Sequence, residues 1–257
     1  STVPAATEHA IGDVPWGEVG PGWMLAMWSP IAPRLPGQPK PPAEPTSATA
    51  IDALYLIAPA GDRYKIAEFG PDQKAKELVD WSGDGSHALF APDYGQDGNA
   101  VSIDLHSGER TLIPVTGAPK YARPDGAEVL QSARFIGSKP GVLTRIDTTG
   151  TTQMTYPTDD LGGAGQYSGD YLATADGTRL VLSTANLGND IVPRSDNSLV
   201  VVDEGSGSII RTLAVPTAMS LCTPVKWWAA DVVLTLAILF VFAIATITGF
   251  CLPANRK

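Results

Sequence analysis

Three aspartates give this chain its one spacing with a clear chemical meaning. Asp93-Tyr94-Gly95-Gln96-Asp97-Gly98-Asn99, with Asp104 at the twelfth position, matches an oxygen-donor loop for Ca2+ at positions one, five, six and twelve. Gly95 replaces the third ligand, Asp104 replaces the bidentate glutamate, and no helical pattern flanks the loop. A hairpin turning at Asp97-Gly98 accounts for the same residues, so Asp93, Asp97 and Asp104 stand as a calcium candidate beside that plainer reading. No other cofactor is expected. His9, His87 and His106 are scattered, without metal-ligand spacing and without a nucleophile motif beside them. A Gly-x-Ser-x-Gly elbow is absent. Gly162-Gly163-Ala164-Gly165 lacks the helix a dinucleotide loop must open, because Tyr167 to Ala173 reads as strand and turn. No residue is assigned a catalytic role.

The elements that would position any site form a repeat. Asp84-Gly85, Asp125-Gly126 and Asp176-Gly177 each precede a short apolar strand: His87 to Ala91, Glu128 to Ser132 and Arg179 to Ser183. A second strand ends in Asp104, Asp147 or Asp203, a glycine follows at Gly108, Gly150 or Gly207, and a third strand runs on from there. Asp-Gly supplies the positive φ of tight turns, and β-branched runs suit pleated strands. The first-turn glycines lie 41 and 51 residues apart (126 − 85 and 177 − 126). A period of about 40 to 50 with three or four strands per unit is that of propeller blades. A divergent unit precedes these three, through Leu25, Leu54 to Ala58 and Tyr64 to Phe69, and a fifth begins at Val225 to Trp228. The fold class expected is therefore all-β: propeller-like blades over residues 14–230, about four units and part of a fifth. Asp159, Asp160 and Asp170 read as solvated loop carboxylates or as lining one mouth of such a ring.

Prolines at 30, 33, 36, 39, 42 and 45 fall at every third position, which in polyproline II would line one edge of a rod. Such a segment is a ligand for a proline-reading domain or, more plainly, a stiff loop between flanking strands. Residues 1–13 read as a loose N-terminus. From Val232 to Leu252 no charge occurs, Trp227 and Trp228 precede the run, and Arg256 and Lys257 follow it. Twenty-one such residues are long enough for a single membrane-spanning helix over 231–252, with the tail at 253–257 cytoplasmic and the large N-terminal part outside the cell membrane. The fifth unit claims residues 231–235 as strand, so the two expectations conflict there. Cys222 and Cys251 can pair only if Cys251 lies outside the membrane. A net charge of −9 and a pI near 4.7 argue against nucleic acid as a partner.

The Asp-Gly units resemble the WD-type repeats of TolB-like propellers, and Arg123-Pro124-Asp125-Gly126 matches that family's turn directly, whereas Gly83 and Ala175 replace the proline elsewhere. Val14-Pro15-Trp16, Gly20-Pro21-Gly22-Trp23, Asp80-Trp81-Ser82-Gly83-Asp84-Gly85 and Cys222-Thr223-Pro224-Val225-Lys226-Trp227-Trp228 look like secreted actinobacterial members. The chain departs from them after Trp228, where further blade strands would follow in a complete ring and an apolar run follows here. The repeats, the missing catalytic set and the apolar tail together predict a non-enzymatic, extracytoplasmic binding or scaffold module for a protein or peptide partner, tethered through residues 232–252. The alternative is a propeller enzyme or carbohydrate-binding protein with a pocket at the axis, since fold alone fixes neither.

Overall fold

Short β-branched runs separated by glycine turns cannot bury themselves singly, so they pair in sequence order and stack as sheets. A computed structural model describes residues 7–32, 34, 37–71, 77–92, 98–133, 141–159, 161–162, 164–174, 176–185, 198–214, 221–229, 232–238 and 250–251. The first sheet holds β1 (Glu8–Ala10), β2 (Met24–Trp28), β3 (Asp52–Ile57) and β4 (Arg63–Phe69), in the order β1-β4-β3-β2. The second is a meander of β5 (Glu77–Trp81), β6 (His87–Ala91), β7 (Gly98–Asp104) and β8 (Arg110–Val115). The third contains β9 (Ala118–Tyr121), β10 (Glu128–Ala133), β11 (Val142–Asp147) and β12 (Thr152–Thr155). The fourth contains β13 (Gln166–Ala173), β14 (Arg179–Ala185), β15 (Ser198–Asp203) and β16 (Ile209–Ala214). The last holds β17 (Leu221–Ala229), β18 (Val232–Ile238) and β19 (Phe250–Cys251). The chain is all-β and built of propeller-like blades.

The core lies between sheets rather than within one. Leu54, Leu56 and Phe69 of the first blade meet Ala88, Phe90 and Ile103 of the second. Leu89, Ile113 and Val115 meet Tyr121, Val129 and Ile146 of the third. Leu130 and Leu143 meet Tyr167, Leu180 and Leu182 of the fourth. Buried tyrosines knit the same seams: Tyr121 bonds Ser102 Oγ at 2.7 Å, and Tyr167 bonds Ser132 Oγ at 2.8 Å. A buried hydroxyl left unpaired is costly, and each serine answers its tyrosine across a blade boundary.

Because neighbouring strands are antiparallel, the β5–β6, β7–β8, β9–β10, β11–β12, β13–β14 and β15–β16 turns all open on one face. This turn face carries the Asp-Gly motifs and the Asp104, Asp147 and Asp203 turns. The sequence repeat starts each unit at Asp-Gly, whereas each blade starts one strand earlier, at β5, β9 or β13. Strand alternation gives β2 the direction of a second strand, like β6, and no described strand takes the innermost place of the first blade. Residues 11–23 lie against the turn face of the second blade instead.

Three expectations meet the structure here. Residues 8–13 do not form the expected loose end: β1 pairs parallel with β4, held by Tyr55 Oη to Glu8 at 2.9 Å and by Lys65 Nζ to Glu8 at 3.1 Å. The described residues of the proline-rich connection 29–51 take the plainer of its two readings, a closed loop. Ala32 N donates to Glu44 Oε1 at 2.8 Å and Arg34 pairs with Glu44, although these residues are 12 apart and would be about 37 Å apart in polyproline II. Finally, Val232–Ile238 is a strand, with Thr235 opposite Pro224, in place of the opening of the expected membrane helix over 231–252. A valine-rich apolar run suits a buried strand as well as a helix, and pairing with β17 decides it. Residues 239–249 lie outside the described residues, and among those described no helix is long and apolar enough to cross a membrane. Cys222 on β17 lies opposite Ala237 and Cys251 on β19 opposite Thr235, so their backbones are about 12 Å apart across β18, too far for a disulfide.

Candidate functional site

On the turn face, residues 11–23 form two short 3-10 turns, Ile11–Asp13 and Trp16–Glu18, with Val14 buried between them. Pro15 and Pro21 keep the flanking chain from closing into a longer helix. Trp16 is thereby placed flat on His106 of the β7–β8 turn, ring centroids 3.9 Å apart. Trp23 leans on Tyr64, 5.8 Å away, just before β2. Trp81 closes β5, and all three indoles also pack on the core shared by the first two blades. The walls Gly20-Pro21-Gly22 and Ser82-Gly83-Asp84-Gly85 face each other across a cleft of about 420 Å³. Specific ligand sites fall at about 300 to 1,000 Å³.

The Ser82–Ser86 turn is braced by Asp84. Its Oδ1 accepts from Ser82 Oγ at 2.7 Å, Ser86 N at 3.0 Å and Ser86 Oγ at 2.7 Å. Ser86 Oγ also lies 2.6 Å from His87 Nδ1. Here the hydroxyl sits between imidazole and carboxylate, whereas an activated serine needs the imidazole in the middle. The trio stiffens the turn. Across the blade boundary Asp84 N donates to Pro124 O at 2.9 Å, Arg123 pairs with Asp80 at 2.6 Å, and Arg123 also bonds Trp81 O. The third blade therefore holds Trp81 in place from below.

The axis offers less. Asp80, Lys120, Tyr121, Arg123, Tyr171 and Leu172 enclose about 70 Å³, well under ligand size. Lys120 lies over the Tyr171 ring at 5.6 Å.

Of the calcium candidates, Asp93 and Asp97 lie outside the described residues. Asp104 ends β7, and its Oδ1 accepts from His106 N at 2.8 Å and Ser107 N at 2.9 Å. The seven residues of β7 set Asp104 about 20 Å from Gly98, at the opposite end of the strand, so it does not complete a twelve-residue ion loop. Among the described residues no cluster of three or more histidine, cysteine or acidic side chains has metal-holding geometry. His9 stacks on Tyr64 at 5.0 Å, whereas His106 stacks on Trp16 and His87 lies edge-on to Tyr121. Asp159 lies in the β12–β13 connection, Asp170 within β13, and Asp160 outside the described residues.

Five turn aspartates share one electrostatic state. At Asp84 and Asp104 partial burial pushes the pKa up, but bonds from Ser82 and Ser86, and from Ser107 and the His106 amide, outweigh it and hold it low. At Asp147, Asp176 and Asp203 the hydroxyls of Thr149, Thr174 and Ser206 lead in lowering it. Folded values below unfolded ones mean stabilisation that is complete above the unfolded value of about 4 and is lost as pH falls through the folded values. The urea midpoint should stay level from pH 7 to 5 and decline below pH 4. Asp147→Asn should flatten that decline; an unchanged midpoint at pH 3 would refute the assignment.

The cleft escaped sequence reading because its walls come from two segments about 60 residues apart. Its signal was present in Val14-Pro15-Trp16, Gly20-Pro21-Gly22-Trp23 and the Asp80–Gly85 turn, which mark the family likeness without announcing their contact.

No family model and no curated protein matches this chain. Among solved structures it is similar to hydrazine synthase of Kuenenia stuttgartiensis, at 15% identity and TM-score 0.50 over 75% of this chain and 53% of that one. It is also similar to the β-propeller domain of Cps50 (Swd1) from Myceliophteria thermophila, at 12% identity and TM-score 0.45, covering 80% and 68% of the two chains. A putative TolB from Agrobacterium tumefaciens follows at 19% identity and TM-score 0.41, covering 63% and 57%. The chain thus spans about half the length of the hydrazine synthase chain (53%), and at these identities the likeness concerns the fold alone.

Proposed function

We propose that this chain is a non-enzymatic binding module of the β-propeller type that holds a segment of a protein or peptide partner in the turn-face cleft. The observation that carries the reading is the cleft itself. Three half-buried indoles, Trp16, Trp23 and Trp81, line about 420 Å³ between two glycine-rich walls, each braced from behind by its blade. Aromatic anchors in a largely pre-formed recess are the usual centre of a protein contact. Membrane attachment belongs to a separate reading. A helix over the eleven residues 239–249 between β18 and β19 would reach about 16 Å, short of a core of about 30 Å, so a span requires those strands to leave their sheet.

The test is site-specific photo-crosslinking in cells with the full chain. A benzoylphenylalanine at Pro21, on the cleft rim, should capture one discrete partner, and Trp16→Ala should abolish the capture. The same probe at Leu112, which is 61% exposed on β8, should capture nothing specific. Equal capture from both positions, or capture that survives Trp16→Ala, would refute the reading.

A further inference from the structure

The stretches that wall the cleft, residues 16–23 and 81–86, carry two carboxylates, Glu18 and Asp84, and no lysine or arginine. Asp80, just below Trp81, is neutralised by Arg123. Asp84 is exposed on the cleft wall, and the turn's three hydrogen bonds all go to its Oδ1, with none to Oδ2 among the described contacts. Glu18 is exposed two residues from Trp16, beside the cleft, and Asp104 lies two residues before His106. Asp84 and Asp104 both stay ionised to low pH, for the reasons given above.

We propose that the cleft takes a basic peptide segment, an arginine or lysine side chain lying against the indole faces with its charge answered by Asp84 and Glu18. Indole faces attract cations directly, and a recess walled by one sign of charge concentrates the opposite sign. The glycine walls favour a peptide over a free amine. Gly20, Gly22 and Gly83 put no side chain on the walls, so an extended chain can approach the backbone closely there. This inference rests on the cleft being the binding site.

The test is a titration of the full chain, followed by tryptophan fluorescence because three of the six tryptophans line the cleft. The probe is an acetylated, amidated triarginine peptide; the controls are its tricitrulline isostere, which keeps shape and loses charge, and spermidine. Saturable binding of the arginine peptide is expected, at least tenfold tighter than the citrulline peptide and than spermidine. Raising salt from 50 to 500 mM should weaken it, Glu18→Gln should weaken it a few-fold without altering the melting curve, and Trp16→Ala should abolish it. Equal binding of the citrulline peptide would overturn the charge inference while leaving the cleft a binding site. Spermidine binding as tightly would overturn the peptide assignment. Arginine-peptide binding untouched by Trp16→Ala would move the site elsewhere and sink both readings.

Discussion

Arg145→Met should lower stability by about 3 to 5 kcal/mol, and the melting temperature by roughly 6 to 20 °C. Arg145 Nη1 lies 3.0 Å from both Glu204 carboxylate oxygens, and its Nε lies 3.2 Å from Glu128 Oε2. Tyr156 Oη donates to Glu204 O at 2.9 Å and Glu204 Oε1 at 3.0 Å. Burial and the Glu204 charge keep that phenol protonated far above its ordinary range, so it remains a donor. The Glu204 side chain is only 7% exposed. Removing the guanidinium strands a charge at the seam between the third and fourth blades, and one phenol cannot replace it. The second blade shows the remedy. Leu105, which follows Asp104 as Glu204 follows Asp203, is fully buried at the equivalent position. Adding Glu204→Leu to Arg145→Met should therefore restore most of the loss, to within about 1 to 2 kcal/mol of the parent. Thermal melts of the two variants decide it: a single variant as stable as the parent contradicts the ion cluster's role.

Gly177→Ala should cost about 2 to 5 kcal/mol, adding left-handed backbone strain to overpacking at a blade seam. Gly177 has φ +68°, and a Cβ there would stand 2.1 Å from Arg123 O and 2.5 Å from its carbonyl carbon. The turn can relieve this only by moving the fourth blade from the third. Gly61→Ala isolates the strain: φ is +98° but nothing lies within 4 Å, so about 1 kcal/mol is expected. Chemical denaturation of both variants checks the difference, and equal losses would mean that the seam is not tight at Gly177. Since Arg123 also pairs with Asp80 and bonds Trp81 O, Gly177→Ala should loosen the cleft as well.

Strand positions were legible wherever a turn signal stood beside a β-branched run. His87 to Ala91, Leu143 to Asp147 and Leu199 to Asp203 are strands within a residue or two of the expected bounds. The innermost strands escaped because β5 and β9 are short and mixed in polarity. Their support comes from partners such as Arg123 on Asp80 and Ser102 on Tyr121, which no local pattern records. Val232–Ile238 misled for the opposite reason: the run suits a helix and a strand equally, and only its pairing with β17 distinguishes them. The cleft required knowing that residues 16–23 return to lie against the Asp84 turn. Sequence reading therefore found the acidic turns and the tryptophans as separate facts.

The most direct test of the cleft as the binding site is hydrogen–deuterium exchange on the full chain. The exchange is followed with and without a peptide selected on it from a random phage-displayed library. The account predicts protection confined to amides of residues 16–23 and 81–86, with exchange along the inner strands unchanged. Protection centred on residues 118–123 and 166–173 would contradict it and place the binding site at the propeller axis.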